Sequence, residues 1–501
     1  MNEQAERDAA AERDAAAERD AAAARDAAIT LRVHQNPYLP AAAGPTEMHA
    51  VIGVETRGLG RAAARGTASE VIVIDCSGSM SWPPTKIAAA RRATAAAVQL
   101  LRDGTRFAIV QGTERADVAY PPGGGMAVAG ADTRAAAARA AAVLPAVGGT
   151  AIGSWLDLAR RLHLERPAAV RHTLLLTDGR NEHDPPGRLD QVLGACARHF
   201  TCDARGIGDG WDATELREIV RRLHGRADAV LEDAALGAAF EEVVSASMAR
   251  AAAGVRIRVR TRAGGRVGFF TQVHPTRVEL TAEGTRPDAR TWEWRADAWG
   301  DELREFHLCV LADPRGDPAD EEVELAVVEL ALDGDTGLTP PEPRSVLVRW
   351  TDDVLLSSRV DPRLLHYGAD ADLGRAITAG CDAYEAGDRE EARRQWGLAV
   401  RLAHHLGGGK TLARLRGLVH IDDAATGTVR IRETVRPLDL NSAMIVTDES
   451  VRFTGAALPG PGAPAGPDVD CPGCGRTSPG SAAFCQRCDT PLRPGRPGGA
   501  P

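Results

Sequence analysis

The 501 residues carry a formal net charge of −9, with 44% apolar and 26% charged side chains. That leaves room for about three domains and argues against a general nucleic-acid binder, whose surface must be basic enough to displace counterions from phosphate. No run of about 18 apolar residues occurs and the charged N-terminus lacks the apolar stretch of a secretory signal, so a cytoplasmic protein without a membrane span is expected. Among the cationic side chains Lys86 and Lys410 are the lysines and all others are arginines. With the heavy use of alanine and glycine, this is read as the codon bias of a GC-rich, bacterial genome.

Residues 1–28 form an Ala-rich low-complexity tail in which Glu-Arg-Asp-Ala-Ala-Ala recurs. A six-residue period turns a helix by about 600°, so the repeats share no face and form no coiled-coil seam. Residues 29–65 read as two strands, around Leu31 and Val33 and around Ala50–Val54, which cannot stand alone and are expected to join a later sheet. Residues 66–250 alternate strand and helix: strands at Val71–Ile74, Arg106–Val110, Thr173–Leu176 and Ala204–Ile207, and helices at Lys86–Arg102, Asp212–Leu223 and Ala234–Met248. This is the pattern of a doubly wound parallel sheet. Residues 251–355 switch to period two, with Val255, Ile257 and Val259 alternating with Arg256, Arg258 and Arg260. An antiparallel β-sandwich-like domain is expected there, with the arginines on its solvated face. Residues 365–420 read as two helices joined at Gly387-Asp388 and resemble one tetratricopeptide-type (TPR-like) hairpin. Residues 421–470 are expected to be partly extended and to end in a Pro/Gly-rich linker, and 471–492 form a cysteine-bearing tail. The predicted fold class is therefore multidomain α/β, with the parallel-sheet domain inserted into the sandwich.

The apolar strand at 71–74 runs into Asp75-Cys76-Ser77-Gly78-Ser79-Met80. Ligands of parallel sheets bind at the carboxyl ends of strands. Hydroxyls two residues apart on a tight loop can face one cation there, and Mg²⁺ favours such hard oxygen donors. Gly148-Gly149-Thr150 offers a third hydroxyl, and Thr177-Asp178-Gly179, at another strand end, a second carboxylate. On these residues the segment resembles the von Willebrand factor A family. The resemblance spans roughly 180 residues and implies a metal-ion-dependent adhesion site. In it Ser77, Ser79 and Thr150 ligate Mg²⁺ (or Mn²⁺) directly, Asp75 and Asp178 act through water, and a partner's Asp or Glu completes the coordination. Trp82 and Pro83-Pro84 sit beside this loop, either on the partner surface or packed. Cys76 is expected to turn inward, and His183 is either a support for the site or an exposed loop histidine.

Cys471-Pro472-Gly473-Cys474 and Cys485-Gln486-Arg487-Cys488 can place four thiolates around Zn²⁺, and so short a segment folds on the metal's binding energy. The spacing resembles bacterial zinc ribbons. Iron in the same geometry or a redox dithiol are the lesser alternatives. Gly407-Gly408-Gly409-Lys410-Thr411 lacks the leading glycine and preceding strand of a phosphate loop, and is read as a helix–helix turn.

The whole is read as a non-catalytic intracellular adaptor that binds a carboxylate-bearing protein through its metal. By family context the partner would be a signalling kinase, a phosphatase or an AAA+ ATPase; nucleic acid and membrane are not expected. The alternative is a metal-dependent hydrolase, or a subunit of an ATPase-driven metal-insertion or remodelling complex.

Overall fold

A computed structural model describes residues 28–455, apart from 42–43, 60–66, 167, 169, 251–253, 297–298 and 334–338, and also residues 469–470 and 477–478. The hexad repeat and the four cysteines Cys471, Cys474, Cys485 and Cys488 lie outside the described residues. The chain divides into two compact units, 1–453 and 454–501.

The first unit opens with Ala28–Gln35 (β1), Tyr38–Pro40 (β2) and Thr46–Arg57 (β3). The alternating domain follows. Its strands are Ala68–Asp75 (β4), Arg106–Gly112 (β5), Ala116–Tyr120 (β6), Ala127–Val128 (β7), Val170–Thr177 (β8), Thr201–Ile207 (β9) and Ala227–Val230 (β10). Its helices are Pro84–Gln99 (α1), Ala131–Ala142 (α2), Ile152–Leu164 (α3), Arg188–Cys196 (α4), Ala213–Arg222 (α5) and Leu236–Ala249 (α6). The strand order is β10-β9-β8-β4-β5-β6, with β7 also on β5; β6 and β7 run antiparallel and the others parallel.

Strand β4 is buried along its whole length because both of its faces are covered. Ile72 and Ile74 join a core with α1, α2 and α6, whereas Val71 and Val73 join another with α3, α4 and α5. Helix α1 begins with Pro84 at its first position, where the missing N–H costs nothing. Its buried stripe of Ile87, Ala90, Ala93, Ala97 and Val98 has helical spacing. In α5, Asp212 accepts the amides of Thr214 and Glu215 at 2.8 and 3.1 Å and fixes where the helix begins.

Two five-stranded sheets share one core. Their later strands are Gly254–Thr261 (β11), Arg266–His274 (β12), Val278–Glu279 (β13), Thr291–Ala296 (β14), Leu303–Ala312 (β15), Glu322–Asp333 (β16) and Arg344–Thr351 (β17). One sheet is ordered β1-β3-β15-β12-β13 and the other β14-β11-β16-β17-β2. Strands on both sides of the parallel-sheet domain in sequence thus pair with each other. All pairs in these sheets are antiparallel except β17 with β2, which is parallel. Phe270 stacks on Trp294 and Phe306 in the shared core, with centroids 4.2 and 5.2 Å apart. Two of the β11 arginines are paired: Arg256 and Arg258 with Glu293 on β14, and Arg258 also with Glu329 on β16.

The chain continues through Val354–Ser357 (α7), Pro362–Glu385 (α8), Arg389–Leu406 (α9) and Gly409–Leu415 (α10). Gly387, at φ +84°, makes the turn between α8 and α9. Lys410 of the glycine-rich stretch pairs with Asp228 and Glu449. Residues 421–455, expected to be partly extended, are more ordered than that. Val419–Asp423 (β18) and Thr428–Ile431 (β19) form a hairpin, and Pro437–Ile445 is a helix (α11). Nine residues are too few to show a periodic signal, and α11 owes its stability to docking: Leu438 and Ile445 enter the core beneath α3–α5. In the second unit, Val469–Asp470 (β20) pairs antiparallel with Thr477–Ser478 (β21). No helix among the described residues is long and apolar enough to cross a membrane.

Candidate metal centre

The carboxyl ends of β4 and β8 and the loop before α3 meet at one point. Asp75, the last residue of β4, is fully buried and organises the loop after it. Its Oδ1 accepts the Ser77 amide at 2.8 Å, and its Oδ2 accepts the Thr177 hydroxyl at 2.7 Å. Burial and the nearby Asp178 charge push Asp75 up to about 6, against the hydrogen bonds that it accepts. Ser77 Oγ lies 2.9 Å from Ser79 Oγ, which donates to Asp178 Oδ1 at 2.7 Å. Thr150 borders the same hollow: a Cβ on Gly179 would stand 3.0 Å from Thr150 Oγ1 and 3.8 Å from Ser79 Oγ. All five residues singled out in the sequence are therefore brought together. Four are buried, and Ser79 opens to solvent.

The supporting hydrogen bonds explain why the three loops hold this shape. Gly78 donates its amide to the Gly148 carbonyl at 2.9 Å, and Val147 to that of Cys76 at 2.7 Å, so the serine and threonine loops are tied backbone to backbone. Asn181 and Asp184 accept the Ile152 and Gly153 amides at 2.8 and 2.6 Å, capping the start of α3 just after Thr150. Cys76 turns into the core, and burial pushes its thiol up to about 12.

The donor set suits a hard divalent cation. Adjacent ligands of an octahedron with bonds of 2.0–2.1 Å stand about 2.9 Å apart. The Ser77–Ser79 oxygens already have that separation.

Residues 70–229 match the von Willebrand factor type A domain family, and residues 401–440 match the von Willebrand factor type A C-terminal domain. The solved structure of a von Willebrand factor type A protein from Catenulispora acidiphila is 35% identical; the match covers 85% of this chain and 98% of that one, with a TM-score of 0.77. The chain belongs to the von Willebrand factor type A family. Domains of this family mediate protein–protein interaction and often carry a metal-ion-dependent adhesion site. The fold also matches the ArnB paralog VWA2 from Sulfolobus acidocaldarius, at 11% identity and a TM-score of 0.52, covering 84% of this chain and 98% of that one. No curated protein matches the chain.

Sequence reasoning missed Lys86. The von Willebrand factor A helix α1 delivers its ammonium onto Asp178 Oδ2, and the pair is almost wholly buried. The loop after β9 closes over it: a Cβ on Gly208 would lie 3.5 Å from Lys86 Nζ. The signal was present in the composition, because a lysine is an exception in this chain. A compact ammonium fits where a planar guanidinium does not. The sequence allows His183 two roles, and its hydrogen bonds make it a support for the Thr150 loop. It is exposed, yet its Nδ1 accepts the Thr150 amide at 3.1 Å and its own amide donates to the Thr150 carbonyl at 2.9 Å. Glu114 was also missed; it accepts the Gly149 amide at 3.0 Å, and that bond holds its carboxyl below the usual range.

Proposed function

We propose that the chain is a non-catalytic adaptor. A Mg²⁺ or Mn²⁺ ion would be held directly by Ser77, Ser79 and Thr150, and through water by Asp75 and Asp178. When bound, such an ion supplies an electrophilic centre that a partner's Asp or Glu completes. The observation that carries this reading is the pairing of Lys86 with Asp178. The ammonium cancels one of the two carboxylate charges, and the other proposed ligands are neutral hydroxyls. Less protein charge then opposes the cation, and more of its attraction remains for an incoming carboxylate. Three exposed apolar side chains on the adjoining loops, Trp82, Val143 and Val147, support a protein partner. A hydrolase would need a free base beside the metal, and His183 Nδ1 is already occupied by the Thr150 amide. We place the protein in the cytosol, where the five buried free thiols Cys76, Cys196, Cys202, Cys309 and Cys381 are at home. The cysteines at 471, 474, 485 and 488 would hold a separate Zn²⁺.

Affinity capture from native lysate tests the proposal, with wild type and the Ser77→Ala/Ser79→Ala double variant, each in Mg²⁺ or EDTA. Partners retained by wild type in Mg²⁺ should be lost both in EDTA and with the variant. A partner set indifferent to both changes would refute the adaptor reading. The metal affinity should also depend on pH. Asp75 must be ionised to serve, and it protonates near 6 in the metal-free protein. Mg²⁺ binding measured by calorimetry should weaken about tenfold for each pH unit below that point. An affinity constant from pH 7 to 5 would remove Asp75 from the site.

A further inference from the structure

We infer a second metal site, for a Zn²⁺-type ion, on the outer face of the β1-β3-β15-β12-β13 sheet, with His49, His307 and Cys309 as its ligands and Glu47 supporting His49 from the far side of its ring. Strands β3 and β15 send Met48, Ala50, Ile52, Phe306, Leu308 and Val310 into the sandwich core. Because side chains alternate along a strand, Glu47, His49, His307 and Cys309 all fall on the opposite face. The register sets His49 directly across from Cys309, with His307 across from Val51 and Glu47 across from Leu311. Cβ atoms of directly opposed residues are about 5 Å apart, so their functional atoms converge.

They do converge. Donor atoms of Glu47, His49 and Cys309 lie within 4.8 Å of one another, the one such grouping of His, Cys, Asp or Glu donors among the described residues. His307 Nε2 stands 3.2 Å from His49 Nδ1. Two ligands of a tetrahedral zinc with bonds of 2.0–2.1 Å are separated by about 3.3 Å. On the far side of His49, Nε2 is 3.3 Å from Glu47 Oε2. A carboxylate there accepts the second ring N–H and so orients a metal-bound imidazole. The neighbouring strand leaves room: β12 breaks register between Val267 and Phe269, and a Cβ on Gly268 would meet Cys309 Sγ at 2.9 Å. Phe269 stands edge-on to the His307 ring at 4.8 Å and limits its swing. A thiolate and two imidazoles form a borderline donor set that favours Zn²⁺ and disfavours Mg²⁺. The ion would join two strands that lie on either side of the inserted domain in sequence.

The test uses the full chain carrying Cys471→Ser, Cys474→Ser, Cys485→Ser and Cys488→Ser, titrated with Co²⁺. One equivalent should produce a thiolate-to-cobalt charge-transfer band and tetrahedral d–d bands, both removed by added Zn²⁺. Cobalt at Ser77, Ser79 and Thr150 would have oxygen ligands and give no such band. Cys309→Ser should abolish the band. His49→Gln and His307→Gln, partly exposed and so tolerated by the fold, should each weaken Co²⁺ binding at least tenfold with an unchanged circular dichroism spectrum. Absence of the band, its persistence in Cys309→Ser, or indifference to both histidine variants would overturn the proposal.

Discussion

Replacing Lys86 by methionine is expected to destabilise the metal-free protein and, at the same time, to tighten its hold on Mg²⁺. The ammonium rests on Asp178, and both side chains are nearly inaccessible. Methionine fills a similar volume but leaves the Asp178 charge buried beside that of Asp75. Breaking one side of a buried pair costs about 3–5 kcal/mol. A divalent cation in the site removes that penalty. It also no longer faces a positive charge a few ångströms away, an interaction worth several kcal/mol at an effective dielectric constant of about 20. Allowing for relaxation, Mg²⁺ affinity should rise roughly ten- to a hundredfold. Urea unfolding in EDTA and in saturating Mg²⁺, with calorimetric titration, measures both effects. An unchanged Mg²⁺ affinity would mean that Lys86 only packs the helix, and the electrostatic part of the adaptor reading would fall with it.

The second large effect is expected at His172, at the other end of the parallel sheet. His172 Nδ1 lies 2.6 Å from Glu70 Oε1 and its Nε2 3.0 Å from Asp203 Oδ2, with all three side chains buried. Ser247 of α6 donates to Glu70 at 2.8 Å, and the Arg226 amide to Asp203 at 2.6 Å, so the cluster ties three strands to a helix and a loop. Burial works against the imidazolium, but the two carboxylates outweigh it and push His172 up to about 9, from an ordinary 6.5. Its hydrogen bond and charge in turn hold Asp203 far below the usual carboxylate range, despite burial. A raised histidine stabilises the fold fully below its unfolded value, and that contribution is lost as pH climbs through the folded one. Wild-type stability should therefore fall by about 3 kcal/mol between pH 6.5 and 9.5 through this group. The Asp203 contribution runs the other way, present above its ordinary pKa and lost in acid. His172→Gln should cost about 3–5 kcal/mol near neutrality and flatten the alkaline limb. An alkaline limb unchanged in the variant would assign the loss to other groups.

The metal loops could be read from the sequence because their chemistry is local. Asp75, Ser77 and Ser79 sit within five residues, and strand β4 ahead of them is apolar on both faces, which only a doubly covered sheet explains. Thr150 and Asp178 carried their own marks, a glycine-rich loop and a Thr-Asp-Gly strand end. What tunes that site was not legible. Lys86 and Asp178 are 92 residues apart, and neither pattern nor propensity says that α1 will aim its lysine there. Helix α11 escaped notice because its stability comes from docking: Asn441 donates to the Trp211 carbonyl at 2.7 Å, beside the loop that closes over Lys86. The His49–His307 contact spans 258 residues. Each of those residues alone is an unremarkable member of an alternating strand. By itself the sequence determined which segments form sheets and which oxygens lie at the strand ends, because period and apolar content act over a few residues. Only the tertiary structure decided which distant charges and donors meet, because pairing register and helix docking are settled by burial summed over the whole core.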